Sequence, residues 1–438
     1  MQNEIYIEKI ERFHIYKNYT YKNEMISSKR SNMKEWLLIL SFEIKKIIKR
    51  KSTWIAFMIL LGLQIVVGFS GNLGTTYVND TFVETHAERN KIDRKNGLEL
   101  SGRPFDNTLL QEMQDAYAKI ELTDDKTYIL SETWQEEVRK YEELYILTRM
   151  WVGSNAIQNH TITIEILEDI WETQTVSMQE NYKLTQAEST YWKEKENVLP
   201  ETYTYQYATA YATLIDMTGI YMTCMLLMFF IVICMGNIFT EEHIRKTDQL
   251  ILSTKNGRKQ LYFAKIVAGS IVTFVVSLFF LMINIVGHFY AYGVEGFFAS
   301  LQLVTGGMWY KYPICVGEVL LIMIGILLLA SIMLTILMML LAETMKNSAG
   351  AMAIIIGIFM FAARLISIPT SLKALSQLWN LLPLNILKID AGFMDLRLFD
   401  IFGIQLTSWQ FAPILYSIVI LVCVLLGMKK YCKIQKNY

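Results

Sequence analysis

Two groups of residues have chemistry to offer. The first is a charged island from Phe239 to Lys265, set between two long apolar segments. Glu241 and Glu242, followed by Thr247, Leu250 and Leu252, give a short helix an acidic start and an apolar ridge. Such a helix can dock on a soluble partner, its carboxylates meeting a basic cleft while the leucines seat in it. Arg258, Lys259 and Lys265 follow and are expected to hold the next segment to anionic headgroups. The second group is scattered inside apolar segments: Glu318, Arg364, Asn284, His288 and Asp216. Ionisable or polar groups there are costly and mark functional candidates by default. Glu318 and Arg364 are expected at similar depth, where a structural ion pair, a substrate or coupling contact, and snorkelling to the interface all stand open. Asp216, Asn284 and His288 lie near the outer ends of their segments, so solvation at the interface is the expectation for them.

Other chemistry is missing from the sequence. No Gly-x-x-x-x-Gly-Lys-[Ser/Thr] occurs, so ATP hydrolysis by a P-loop of this chain is not expected. His-Glu-x-x-His and Gly-x-Ser-x-Gly are absent as well, which removes the common membrane hydrolase signatures. The cysteines Cys224, Cys234, Cys315, Cys423 and Cys432 lie in or beside apolar segments without Cys-x-x-Cys or Cys/His spacing, so neither a metal site nor a disulfide scaffold is expected.

The elements that must position these residues follow from composition. At 53% hydrophobic residues, with only 6 prolines in 438 residues, the chain is too apolar for an ordinary soluble protein. The expected fold is an all-α integral membrane protein. Residues 1–32 form a polar cytoplasmic leader, and 33–53 an amphipathic interfacial helix with apolar Trp36, Leu37, Leu40, Ile44, Ile47 and Ile48 beside a basic cluster. A first span covers 54–70. Residues 71–212 make a mainly helical extracytoplasmic domain, which carries roughly twice as many acidic as basic side chains. Within it, Asp106 or Asn107 and then Ser131 are expected helix caps. Tyr203, Tyr207 and Tyr211 are expected in an outer interfacial belt.

Residues 213–428 then hold five more spans, at 214–239, 266–289, 314–342, 349–368 and 411–428. They include a cytoplasmic coupling loop at 240–262 and an outer amphipathic segment at 369–410, expected to lie on or dip into the outer leaflet. A basic tail at 429–438 closes the chain. Six transmembrane helices put every basic cluster on one side, so both termini are expected in the cytoplasm of a multi-pass cell-membrane protein.

The order of amphipathic basic helix, first span, large outer domain and five further spans, with a charged loop after the second, resembles the type-2 ABC transporter permeases. In that family the loop reads Glu-Glu, then Gly-Thr, then Leu-x-x-Leu-Leu-x-x-Pro, then Arg and Lys. Here Glu241-Glu242, Thr247, Leu250, Leu252, Ser253-Thr254, Arg258 and Lys265 stand at those places, with Lys246 and Lys255 replacing the usual glycine and proline. The resemblance implies the permease subunit of an ATP-driven exporter of an ion, drug, peptide or lipid-like compound. Its partners would be a separate P-loop ATPase subunit, which binds ATP and Mg, and a second permease, identical or related. It implies no cofactor on this chain and no nucleic acid. From a different class, a multi-span sensor or assembly protein with a ligand-binding outer domain fits the same layout.

Overall fold

A computed structural model describes residues 33–122, 126–152, 157, 161–244, 259–308, 310–361 and 368–433, with the backbone alone for 241–244 and 433. Helix α1 covers 33–48 and turns Leu40, Glu43 and Ile47 inward at helical spacing, while Leu37, Leu38 and Phe42 stay exposed. The expected interfacial helix ends early. Arg50 is extended, and a new helix, α2 (Lys51–Phe69), starts directly after it. The basic cluster therefore stands at the entry of the first apolar helix.

The polar segment opens with a hairpin that periodicity did not suggest, β1 (Thr75–Val78) against β2 (Thr81–Thr85). Asn79 and Asp80 take the two left-handed positions of the turn, a role that suits their short polar side chains. Thr85 and Glu88 form a capping box that starts α3 (His86–Leu100). Asp106 caps α4 (Asn107–Tyr117) by accepting from the Leu109 amide at 3.0 Å. Ser131 accepts from the Trp134 amide at 3.1 Å, starting a tight π and 3-10 stretch that leads into α5 (Glu142–Val152). Then follow α6 (Ile164–Tyr182) and α7 (Gln186–Glu196).

These elements close over an apolar core of their own. Leu109, Leu110, Met113, Tyr117, Val138 and Leu144 are sealed in it, and Tyr117 stacks on Tyr145 at 4.1 Å. Leu303 and Met308, from the connection between later apolar helices, join the same core. Tyr207 and Tyr211 are buried in protein and Tyr203 is half-buried, which corrects the expected headgroup belt. The apolar and aromatic surface around them offered a better solvent than the interface.

The second apolar segment is broken. It runs α8 (Thr209–Ile215), a turn at 216–219, α9 (Ile220–Met235) and α10 (Asn237–Ile244). Then come α11 (Lys259–Tyr292), α12 (Leu301–Thr305), α13 (Val316–Met345) and α14 (Ser348–Met360). Lys346 in a left-handed conformation and the Asn347 cap turn the chain sharply between α13 and α14. Short helices α15 (Lys373–Asn380), α16 (Pro383–Ile386) and α17 (Ile389–Gly392) and a hairpin, β3 (Phe399–Ile401) with β4 (Ile404–Leu406), precede α18 (Ser408–Lys433).

Five of these stretches are long and apolar enough to cross a membrane: Lys51–Asn72, Thr209–Thr240, Lys259–Tyr292, Val316–Met345 and Ser408–Cys432. The expected span at 349–368 begins as α14, a shorter apolar helix, and residues 362–367 lie outside the described ones. The short helices near 369–410 were expected on the outer leaflet. Instead Leu384, Ile386, Leu387 and Phe393 are buried against the apolar helices, while Leu372, Leu375 and Leu378 at and in α15 and Phe402 and Ile404 of the hairpin stay exposed. Trp192 of α7 donates to the Leu396 carbonyl at 2.6 Å, tying this segment to the polar domain.

Candidate functional site

Helix α10 follows α9 with only Gly236 between them, so it is the direct continuation of the second apolar segment. Its base is held by three contacts. Arg50 donates to the Asn237 carbonyl at 3.4 Å, and Phe239 packs in an aromatic cluster with Tyr262 and Tyr431 at 5.8 and 5.6 Å. Lys265 lies over the Phe239 ring, its Nζ 5.7 Å from the centroid. The Tyr262 hydroxyl donates to the Val424 carbonyl at 3.0 Å, which brings α18 into the same junction.

Lys265 was expected to reach anionic headgroups. It is 0% exposed, and its Nζ donates to Glu43 Oε2 at 3.1 Å. A buried ammonium needs a counter-ion, because desolvation of an unpaired charge costs far more than any headgroup contact could return. Glu43 supplies it from the inward face of α1, between Leu40 and Ile47. Only its position on that face marked it in the sequence: one carboxylate where helical spacing calls for an apolar residue. Glu241 and Glu242 lie on α10, and their side chains are not described; Thr247, Leu250, Leu252 and Arg258 lie outside the described residues.

An apolar helical half, a polar domain inserted after the first apolar helix and a charged helix at the end of the second together make up most of the chain. Residues 37–382 match the family model described as ABC-2 family transporter protein. The chain belongs to that family. The match takes in α10, the whole polar domain and the apolar helices through α14. No curated protein and no solved structure matches the chain. As an ABC-2 family protein it is a multi-pass membrane component of an ABC transporter.

The polar groups inside this permease's apolar helices are organised by the break in the second segment. At Gly219 a Cβ would stand 2.1 Å from the Leu214 carbonyl, so only glycine fits the turn. Gly219 stands at the head of α9, where its carbonyl accepts from the Thr223 amide at 3.3 Å and has a second lone pair to offer. Asn284 of α11 adds to that bond, donating through Nδ2 to Gly219 O at 2.9 Å and to Thr223 Oγ1 at 2.6 Å. Gln64 of α2 donates to the same hydroxyl at 3.2 Å. Solvation at an outer interface was expected for Asn284 and His288; both are instead buried in protein. His288 Nδ1 lies 2.9 Å from the Asn284 carbonyl.

Two more polar pairs join α11 to α13, Thr273 with Thr335 at 2.8 Å and Ser277 with Ser331 at 3.2 Å. Close approach of α2 and α11 completes the arrangement, since a Cβ on Gly287 would meet the Gly68 carbonyl at 2.3 Å. Sequence reasoning missed Gln64. Its one signal was a lone amide inside the first apolar helix.

The remaining candidates are peripheral. Glu318 is exposed at the start of α13 and accepts from the Cys315 amide at 3.1 Å, so it caps that helix. Arg364, its expected partner, lies outside the described residues. Asp216 is exposed in the turn between α8 and α9.

The polar domain contains a knot of charge near the start of α8. Arg139 is 2% exposed in its side chain and bridges Glu84 at 2.9 Å and Asp93 at 3.1 Å, while Arg89 meets Glu142 at 2.7 Å. Glu143 adds a further carboxylate, reached by the Thr209 hydroxyl at 3.4 Å. Burial, followed by the charges of Asp93 and Glu142, pushes the Glu143 carboxyl up to about 7.

Proposed function

We propose that this chain is the permease subunit of an ATP-binding-cassette exporter. It has six spans, both termini and α10 on the cytoplasmic face, and the domain at 71–212 outside. The observation that carries this reading is the buried Lys265–Glu43 pair beside α10. It fastens the start of α11 and the interfacial α1 to the base of the helix bearing Glu241 and Glu242. A push on α10 therefore moves the second and third spans together and cannot be absorbed by a slack loop.

The push comes from a separate P-loop ATPase subunit that binds ATP and Mg. Glu241, Glu242, Thr247, Leu250 and Leu252 form the contact, and Arg258 secures the entry to the third span. A second permease, a copy of this chain or a related one, completes a central path for an ion, drug, peptide or lipid-like compound. Asn284, Thr223 and Gln64 keep the broken second span hydrogen-bonded while it tilts.

The test is purification of the tagged chain from its own host in mild detergent, with mass identification of partners and an ATPase assay. A stoichiometric P-loop subunit with vanadate-sensitive turnover supports the exporter. Recovery of the chain alone, or with a kinase-like partner, overturns it in favour of a membrane sensor.

A further inference from the structure

Two β-hairpins stand at the ends of apolar helices: β1–β2 directly follows the stretch Lys51–Asn72, and β3–β4 leads directly into Ser408–Cys432. These two stretches are the least covered by protein, with only 22% of the apolar part of each buried, against 39% or more in the other three long ones. Their bare apolar surface is what a bilayer solvates.

Both hairpins lie at one end of the apolar half. Gly71 lies so close to Tyr292, at the end of α11, that a Cβ on it would collide with the tyrosine hydroxyl. Trp409, at the start of α18, packs on Tyr312 at 5.6 Å, just ahead of α13. Helices α11 and α13 run antiparallel, as the pairs Thr273–Thr335 and Ser277–Ser331 require, so the end of α11 is level with the start of α13. The polar domain sits at this same end, since its core takes in Leu303 and Met308 from the connection between those helices.

Each hairpin leaves apolar side chains open. In the first, Val78 is buried, while Tyr77 and Phe82 pair across the strands on the other face, rings 5.9 Å apart, and both stay exposed. In the second, Phe399 stacks on Phe411 at 4.4 Å, which sets the base of the hairpin level with the first turn of α18. Its turn holds Phe402 at φ +53° and Gly403 at φ +84°, the left-handed pair of a two-residue hairpin loop. Glycine suits that backbone, but phenylalanine is strained in it. Phe402 is nonetheless fully exposed, with Ile404 exposed after it, so no packing among the described residues offsets the strain.

We propose that the two hairpins are lipid anchors, seated at the headgroup boundary of the leaflet on the polar domain's side, with Tyr77, Phe82, Phe402 and Ile404 against the acyl chains. Aromatic side chains favour that layer. The strands go no deeper, because the unpaired outer edges of a two-stranded hairpin cannot enter hydrocarbon. Helix α2 packs on α9 and α11 whereas α18 packs chiefly on α13, so the hairpins stand over separate stretches of the perimeter. A leaflet reaches both, while a docked protein would need a matched face for each. The anchors fix the height and tilt of α2 and α18. The inference rests on membership of a membrane family and not on export or an ATPase partner.

The test replaces Phe82 or Phe402 with p-benzoyl-phenylalanine, a photoreactive analogue that keeps the ring, in the full chain in proteoliposomes of phosphatidylcholine and phosphatidylglycerol. After irradiation, intact mass identifies what each position touches. A phospholipid adduct is expected at both positions, severalfold above that at Glu136, an exposed position of the polar domain. A crosslink to a second copy of the chain, an adduct no stronger than at Glu136, or an adduct at one hairpin alone would each overturn the paired anchor.

Discussion

Lys265 Nζ and Glu43 Oε2 lie 3.1 Å apart, and both side chains are shut away from solvent although they belong to helices that enter the apolar half from different parts of the chain. Removing one partner takes away the other's closest buried counter-ion, with Lys46 the next cation to Glu43 at 3.9 Å. Lys265→Met or Glu43→Leu alone should cost roughly 3–5 kcal/mol, whereas the double substitution should recover much of that loss. Thermal unfolding of the four proteins in one detergent gives the coupling energy. Additive losses would mean that the pair does not act as a unit.

Asn284 donates to the Gly219 carbonyl at the head of α9, beside the Thr223 amide, and to the Thr223 hydroxyl. Asn284→Leu keeps the branched outline and removes the donor, and should destabilise the apolar half by about 1–3 kcal/mol. The same change at Thr273, replaced by valine, should cost less, because Thr335 retains its own bond to the Ser331 carbonyl at 2.9 Å. Comparing melting temperatures of the two variants decides whether the junction at the head of α9 costs more than a polar pair in mid-helix.

Gly68 and Gly287 let α2 and α11 touch backbone to backbone. A single Cβ at Gly287 cannot be placed without moving one helix. Gly287→Ala should therefore lower the yield of folded protein, as read by size-exclusion profile after solubilisation. Gly62→Ala, where a Cβ would meet nothing within 4 Å, should leave the profile unchanged.

Glu143 carries a pH signature. Its folded pKa of about 7 lies above the ordinary carboxylate value, so the folded state holds a proton that the unfolded state has released. The stability it contributes is complete below the unfolded value and is lost as pH rises through about 7. Glu143→Gln mimics the protonated form and should raise the melting temperature by a few degrees at pH 8 and hardly at all at pH 5. A gain of equal size at both pH values would exclude titration of Glu143 as the cause.

The contact with the ATPase subunit can be broken at the residues named for it. Glu242→Lys with Leu250→Asp should abolish co-purification of the P-loop subunit while leaving membrane insertion intact. Retained association would remove the coupling role from this stretch.

Much of the layout was legible from composition and period. Apolar runs of bilayer length disclose themselves because lipid allows few alternatives to a helix, and five of the expected runs form helices of that length. Caps such as Asp106 and Ser131 were readable because their partners lie three residues away. The charged stretch at Glu241–Glu242 was visible by contrast with its apolar neighbours, and its order of residues carried the family resemblance.

Only the tertiary structure decided which polar groups meet. Gln64, Thr223 and Asn284 are separated by well over a hundred positions between the first and the others, and nothing local in the sequence links them. Lys265 looked like one more basic residue of a positive loop until α1 placed Glu43 against it. Likewise Tyr207 and Tyr211 had the spacing of an interfacial belt, but the polar domain and α11 offered them a dry wall. Local pattern determines whether a segment is helical and which side chains share a face. The partner that face receives depends on packing between distant segments, where the cost of burying an unpaired charge or carbonyl selects the arrangement.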